Sequence, residues 1–161
     1  MQKKLVLGLT GGIASGKSTV LNIFREFGAQ TKSADVLAKK MLFKGEPAYH
    51  RVIERFGGQI VNSDGEIDRI VLGDIVFNDA NAIKDLNNII HPQVIEDIKE
   101  SIDNFRKEGS GVFVAEIPLL FECGLENIVD KVIVVCAEQE TQINRLKKRF
   151  GFTREQAESR I

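Results

Sequence analysis

Along this chain the apolar positions fall into two kinds of block, short unbroken runs and longer stretches with helical spacing. Leu5–Leu9 is a short apolar run that breaks at Thr10-Gly11-Gly12, the pattern of a strand buried on both faces. Val20, Phe24 and Phe27 then recur at i, i+4 and i+7, predicting a helix that Gly28 stops. Strand, glycine loop and helix therefore follow one another. Ala29–Ser33 predicts a second, weakly apolar strand. From Asp35 to Gly109 the chain reads almost wholly helical. One helix opens at Pro47, carries Val52, Ile53 and Phe56, and ends at Gly57-Gly58. Asn62-Ser63-Asp64-Gly65 is a turn. Leu72, Ile75 and Val76 mark a further helix, and Ile83, Leu86 and Ile90 another. His91-Pro92 breaks the phase of that helix, since proline lacks the amide a helix interior uses, and the next helix runs through Val94, Ile98, Ile102 and Phe105. Val112–Ala115 and Val132–Val135 are two more runs of the buried-strand type, separated by a segment containing Pro118. A helix with Ile143 and Leu146 follows, and Thr153 with Gln156 forms a T-x-x-Q capping box that opens a last one.

Apolar strands separated by helices make this an α/β chain with a parallel sheet flanked by helices. Residues 36–109 are too long for a single crossover and predict a helical insertion that carries substrate. The expected organisation is a nucleotide-binding core at 1–35 and 110–137, the insertion at 36–109 and a helical lid at 138–161. The 161 residues suit one compact domain with such an insertion. With 22 Lys+Arg against 23 Asp+Glu, the formal charge of -1 gives no global reason to expect nucleic acid or a polybasic membrane contact, so phosphate chemistry must come from local charge. Lys3-Lys4 before Leu5–Leu9 imitates a secretory signal, but the run is too short and meets Lys17, and no segment approaches the ~20 apolar residues of a membrane span. The expectation is a soluble, cytoplasmic monomer. Cys123 and Cys136 lack metal-site spacing and read as small apolar fillers in a reducing compartment.

The sharpest chemical signal is Gly11-Gly12-Ile13-Ala14-Ser15-Gly16-Lys17-Ser18, a full match to G-x-x-x-x-G-K-[ST] between a strand and a helix. Glycines let successive amides turn toward a phosphate, and the helix N-terminus adds partial positive charge. Lys17 would bridge the β- and γ-phosphates of ATP, and the Ser18 hydroxyl would bind Mg2+. Neither N-K-x-D nor D-x-x-G, the GTPase companions of such a loop, is present. Asp35, directly after the second strand, could take a proton from a substrate hydroxyl or could cap a helix. Six basic residues between Arg145 and Arg160, against Glu155 and Glu158, make either a lid that meets phosphate charge or a solvated face.

The chain resembles the dephospho-coenzyme A kinases along nearly its whole length. The resemblance rests on Leu9–Thr19, Ala34-Asp35 with Val36-Leu37-Ala38, Phe56-Gly57, Asp64-Gly65, Ile67-Asp68-Arg69, Leu86-Asn87, His91-Pro92, Pro118–Glu122 and Arg160-Ile161, in family order. It implies transfer of the γ-phosphate of ATP to the ribose 3′-hydroxyl of dephospho-coenzyme A, the last step of coenzyme A synthesis, with Asp35 as general base. It also implies Thr19 at the nucleotide, and Arg149 and Arg160 as lid residues that reach it. Arg69 would meet a substrate phosphate or make a surface ion pair, and His91-Pro92 would touch substrate or cap a helix. Leu119 and Leu120 would floor the pantetheine groove or belong to the core. Ser33 stands where many members carry a first aspartate. Glu116 stands where aspartate is frequent, and its longer carboxylate can still hold a magnesium-bound water. On this reading the chain ends inside the lid, before the family's C-terminal strand and helix, which help enclose the adenine. Two other readings remain: a kinase for another small nucleotide or metabolite, and a P-loop protein that binds ATP for regulation.

Overall fold

The computed structural model describes residues 4–161, so Lys3 of the N-terminal basic pair lies outside the described residues. The chain divides into two compact units, Met1–Ser33 with Ser101–Ile161, and Ala34–Glu100.

The first unit is built on a four-stranded parallel sheet in the order β2-β3-β1-β4, with β1 at Leu5–Thr10, β2 at Gln30–Ser33, β3 at Val112–Glu116 and β4 at Lys131–Val134. Apolar side chains on both faces suit β1 and β3 to the middle, and both are buried almost throughout. Helix α1, Lys17–Glu26, packs Leu21 against Leu7, Leu9 and Val114, with Val20 and Phe24 at the margin of that cluster. On Gly8 a methyl group would stand 2.5 Å from Leu120 and 3.2 Å from Val129, so the glycine makes room for two core side chains. The segment Ser101–Glu108, the end of helix α5 (Ala80–Glu108), adds the tilted ring pair Phe105–Phe113 at 5.4 Å, and Lys4 caps its last turn through the Arg106 and Lys107 carbonyls at 2.6 and 2.8 Å.

Three expectations for this unit need correction. Phe27, assigned to the apolar face of the first helix, is 87% exposed, because α1 ends at Glu26 and Phe27 already belongs to the cap. Val132–Val135 is not a buried strand. It lies on the sheet's edge, half-buried, with Val134 exposed. Cys136, and Cys123 in the loop after β3, are both exposed and so fill no core.

The second unit is helical. Helix α2, Ala34–Lys40, is followed by α3, Pro47–Phe56, whose proline occupies the first turn and whose Ala48, Tyr49, Val52 and Phe56 are buried. The turn at Asn62–Gly65 is closed by the Asn62 side chain, which accepts the Asp64 and Glu66 amides at 3.0 Å each, while the Tyr49 hydroxyl donates to the Gly65 carbonyl. Asp68 caps helix α4, Arg69–Asn78, accepting the Ile70 and Val71 amides. The break expected at His91-Pro92 does not occur. Helix α5 runs uninterrupted from Ala80 to Glu108 with Pro92 inside it. The lost amide removes one hydrogen bond, whereas Ile89, Ile90, Val94 and Ile98 keep a buried stripe running through the proline. Among the described residues no helix is long and apolar enough to cross a membrane.

Helix α6, Gln139–Phe150, and helix α7, Arg154–Glu158, close the chain and belong to the first unit. The capping box at Thr153 and Gln156 forms in both directions. Ile143, Leu146 and Ala157 make a small buried cluster against Ala14 and Phe152.

Candidate active site

Parallel register sets the site's frame. Glu116, the last residue of β3, is level with Leu9 of β1 and Ser33 of β2, so a carboxylate, the loop after β1 and the end of β2 share one sheet edge. The loop leaves β1 through Gly11, whose φ is 147° and where a side chain would stand 2.2 Å from the Val135 carbonyl oxygen; only glycine fits. Gly16 enters α1 in a left-handed conformation with no side-chain cap. No described side chain caps the first turn of α1, where the Thr19 amide turns back to the Gly16 carbonyl at 3.0 Å, and the open end is the positive end of the helix dipole. Ala14 has φ 55°, a conformation costing a non-glycine residue about 1–3 kcal/mol unless its surroundings hold it.

Three side chains of the motif have defined settings. The Lys17 ammonium donates to the Gly11 and Gly12 carbonyls at 2.8 and 2.9 Å, folding back over the loop it would serve. Ser18 donates to a Glu116 carboxylate oxygen at 3.4 Å. The Ser15 hydroxyl is buried without a partner.

Glu116 is only 2% exposed, and its carboxylate accepts a hydrogen bond from the Ser18 hydroxyl. A buried carboxylate held by one long hydroxyl bond has acceptor capacity to spare, and a cation beside it and Ser18 would meet its charge. Among the described residues there is no group of three or more His, Cys, Asp or Glu side chains that could cage a metal. That donor set suits Mg2+, which keeps its waters and takes a hydroxyl, a carboxylate and phosphate oxygens.

The remaining candidates divide. Asp35 is exposed in the first turn of α2, two residues after β2 ends at Ser33. Arg69 begins α4, and its guanidinium lies 4.9 Å over the Phe43 ring. His91 is half-buried and Pro92 exposed, both mid-helix, so neither caps a helix. Leu120 is fully buried against Gly8 and takes the core alternative; Leu119 is exposed and available to a ligand. In the basic run, Arg149 and Arg160 lie over the Phe150 and Phe152 rings, at 5.1 and 4.4 Å. Arg154 is bound to Glu140 and Glu158, and the hydrogen bond from Arg154 holds the Glu140 carboxyl below its ordinary value. The basic residue that reaches the loop is Arg145, which donates to the Ala14 and Ser15 carbonyls at 2.8 and 2.9 Å, and Gln142 donates to the Ile13 carbonyl at 2.7 Å. In the sequence Arg145 stands out only as one of the six basic residues of the run, and Gln142 not at all; a further signal there is the polar pair at i and i+3 beside the apolar pair Ile143 and Leu146.

A cleft on the β2 side, lined in part by Lys32, Asn104, Phe105 and Glu108, contains no residue of the loop.

Residues 5–161 match the family profile described as dephospho-CoA kinase. The chain belongs to the dephospho-CoA kinase family. Members from Bacillus anthracis and Geobacillus kaustophilus, both named dephospho-CoA kinase, are 45% and 46% identical to it over 157 residues, which is 98% of this chain and 78% of each relative. Among solved structures, the dephospho-CoA kinase from Campylobacter jejuni superposes with a TM-score of 0.67 at 34% identity, covering 98% of this chain and 79% of that one. The crystal structure of TT1252 from Thermus thermophilus gives a TM-score of 0.74 at 30% identity, covering 99% and 79%. Membership of a dephospho-CoA kinase family agrees with the strand, loop and helix that carry Lys17 and Ser18 here.

Proposed function

We propose that this chain is an ATP-dependent dephospho-CoA kinase that phosphorylates the ribose 3′-hydroxyl of dephospho-coenzyme A and so completes coenzyme A. The observation that carries the reading is the Ser18 hydroxyl donating to buried Glu116 at the head of a strand, loop and helix that also positions Lys17.

In this reading the backbone of Gly11–Thr19 binds the ATP phosphates. Lys17 exchanges its bonds to the Gly11 and Gly12 carbonyls for the β- and γ-phosphate oxygens, meeting charge that grows as the phosphoryl group leaves. Ser18 and Glu116 would hold Mg2+, whose charge would offset that of the phosphate oxygens. Asp35 accepts the proton of the 3′-hydroxyl, for which its exposed carboxylate in the first turn of α2 is accessible. The helical unit offers Arg69, His91 and Pro92 to the acceptor, and Leu119 gives an apolar contact for its pantetheine arm. Arg149 and Arg160 leave their aromatic rings to meet the nucleotide when it binds. The protein works as a cytoplasmic monomer on free metabolites, with neither nucleic acid nor a membrane as partner.

The deciding experiment measures ADP release with ATP, Mg2+ and a panel of acceptors, and locates the new phosphate by 31P NMR. Release that depends on dephospho-coenzyme A, with product phosphorylated at the 3′-oxygen, is expected. Equal or faster turnover of another nucleotide or metabolite would reassign the acceptor. Slow ADP release indifferent to every acceptor would make the protein a regulatory ATP binder.

A further inference from the structure

Three consecutive carbonyls of the loop, those of Ile13, Ala14 and Ser15, accept hydrogen bonds from side chains of one helix. Gln142 serves the first, and one guanidinium nitrogen of Arg145 serves the other two. The spacing of i and i+3 puts both on the same face of α6. Their neighbours on that helix, Ile143 and Leu146, pack against the Ala14 side chain. The approach is close at both ends: a methyl group on Gly12 would lie 3.3 Å from the Gln142 amide nitrogen, and one on Gly16 would lie 3.4 Å from the same Arg145 nitrogen. Gln142 is itself 8% exposed, so its bond is shielded from water.

In a trans peptide the C=O and N–H point in opposite directions, and no described peptide here is cis. Holding the Ile13 carbonyl toward α6 therefore turns the Ala14 amide away from it. Holding the Ser15 carbonyl does the same for the Gly16 amide. The Ser15 amide is already used inside the loop, donated to the Gly12 carbonyl at 3.3 Å. Ala14 keeps its unfavourable φ of 55° while its carbonyl is bonded to Arg145 and its side chain is packed against α6.

We propose that Gln142 and Arg145 are positioning residues, which set the phosphate-facing amides of the loop from behind, so that α6 preorganises the nucleotide site through the backbone. The proposal rests on the assignment of Gly11–Thr19 as the phosphate loop. It gives a neutral residue and a charged one the same task, which separates it from a direct contact between Arg145 and the nucleotide.

The test uses Gln142→Leu and Arg145→Met in the full chain, with three readouts: amide 1H–15N shifts of Ala14 and Gly16 in the ligand-free protein, the ATP dissociation constant by calorimetry, and KM for dephospho-coenzyme A. Both variants are expected to move the two resonances before any ligand is added and to weaken ATP about tenfold or more, as loss of a hydrogen bond from a buried or charged donor does. The acceptor KM should stay within about twofold. The double variant should lose less ATP affinity than the product of the singles, because both act through one loop. Weaker ATP binding with unchanged free-protein resonances would overturn the proposal and make Arg145 a direct nucleotide contact. Unchanged ATP affinity in Gln142→Leu would overturn it equally. Arg145 is exposed, so Arg145→Met is expected to fold and carries the test if Gln142→Leu does not. Failure of the acceptor assignment shows separately, as absent turnover of dephospho-coenzyme A by the unchanged protein, since amide shifts and ATP binding are read without an acceptor.

Discussion

The phosphate loop and the helical unit are built on opposite principles. The loop is made of backbone: glycines at Gly11 and Gly16 take positive φ, carbonyls are tied to Lys17, Gln142 and Arg145, and on the proposed reading the amides meet the phosphates. The unit Ala34–Glu100 is made of side chains. Its helices are held by buried apolar stripes, and its exposed surface carries Val36, Phe43, Ile70 and Phe77 beside the polar candidates Asp35 and Arg69. A backbone site tolerates little change in residue type because its geometry is the function. A side-chain surface can exchange residues and so choose an acceptor; on the proposed reading the first region binds the phosphates, and the second supplies acceptor specificity together with the general base Asp35.

The strongest way to break this division is Asp35→Asn, which keeps size and hydrogen bonding but removes the proton acceptor. Turnover is expected to fall roughly 10²–10⁴-fold with ATP affinity unchanged. If acceptor affinity fell and turnover held, Asp35 would position substrate, and the base would lie elsewhere. Lys17→Ala should lower turnover about 10²–10³-fold through the transferring phosphoryl group, with a melting temperature close to that of the unchanged protein. An unchanged turnover number would remove the loop from the chemistry altogether.

Glu116→Gln sharpens the comparison on the loop's own side. It keeps the shape of the buried side chain while deleting its charge, so the Mg2+ concentration giving half-maximal rate should rise about 10-fold. Equal Mg2+ dependence in variant and unchanged protein would leave Ser18 and the phosphates as the metal's only holders. For the helical unit, Pro92→Ala restores an amide inside α5 and should stabilise the protein by about 1–3 kcal/mol in chemical denaturation. The same change should raise the acceptor KM several-fold if the proline shapes the substrate surface, and leave the ATP KM alone.

The smallest effect concerns pH. Arg154 lowers the Glu140 carboxyl, so this pair's contribution is present above the carboxyl's unfolded value and fades as pH falls through its folded one. Both side chains are exposed, so Glu140→Gln should flatten the acid side of a stability profile only slightly and leave the melting temperature at neutral pH essentially where it was.

Most elements were legible in the sequence because periodicity and capping are local. The glycine loop before α1, the proline at the first turn of α3, the Asn62–Gly65 turn and the Thr153–Gln156 box each involve residues a few positions apart, and each forms as expected. The site was partly legible for the same reason: Lys17 and Ser18 sit inside one continuous motif. Glu116 is 98 positions from Ser18 and came into view only through family resemblance, and Arg145, 131 positions from Ala14, came into view only as one of six basic residues in a run, with nothing local to mark it as the one that reaches the loop.

By itself, then, the sequence determined the strand, glycine loop and helix that carry Lys17 and Ser18, the succession of apolar strands and helices that makes a parallel sheet, and the kinase family. Tertiary structure alone decided which apolar runs are buried. Val112–Ala115 and Val132–Val135 are nearly interchangeable as strings, yet the first has a strand on each side and the second ends the sheet, which leaves Val134 and Cys136 exposed. It also decided that Leu120 is core while Leu119 is surface, that α5 continues through Pro92, and that α6 rather than any residue of the motif holds the carbonyls of Ile13, Ala14 and Ser15. The physical reason is the same in each case: a periodic pattern reports the geometry of its own segment, whereas burial and long-range hydrogen bonds depend on what the rest of the chain brings alongside.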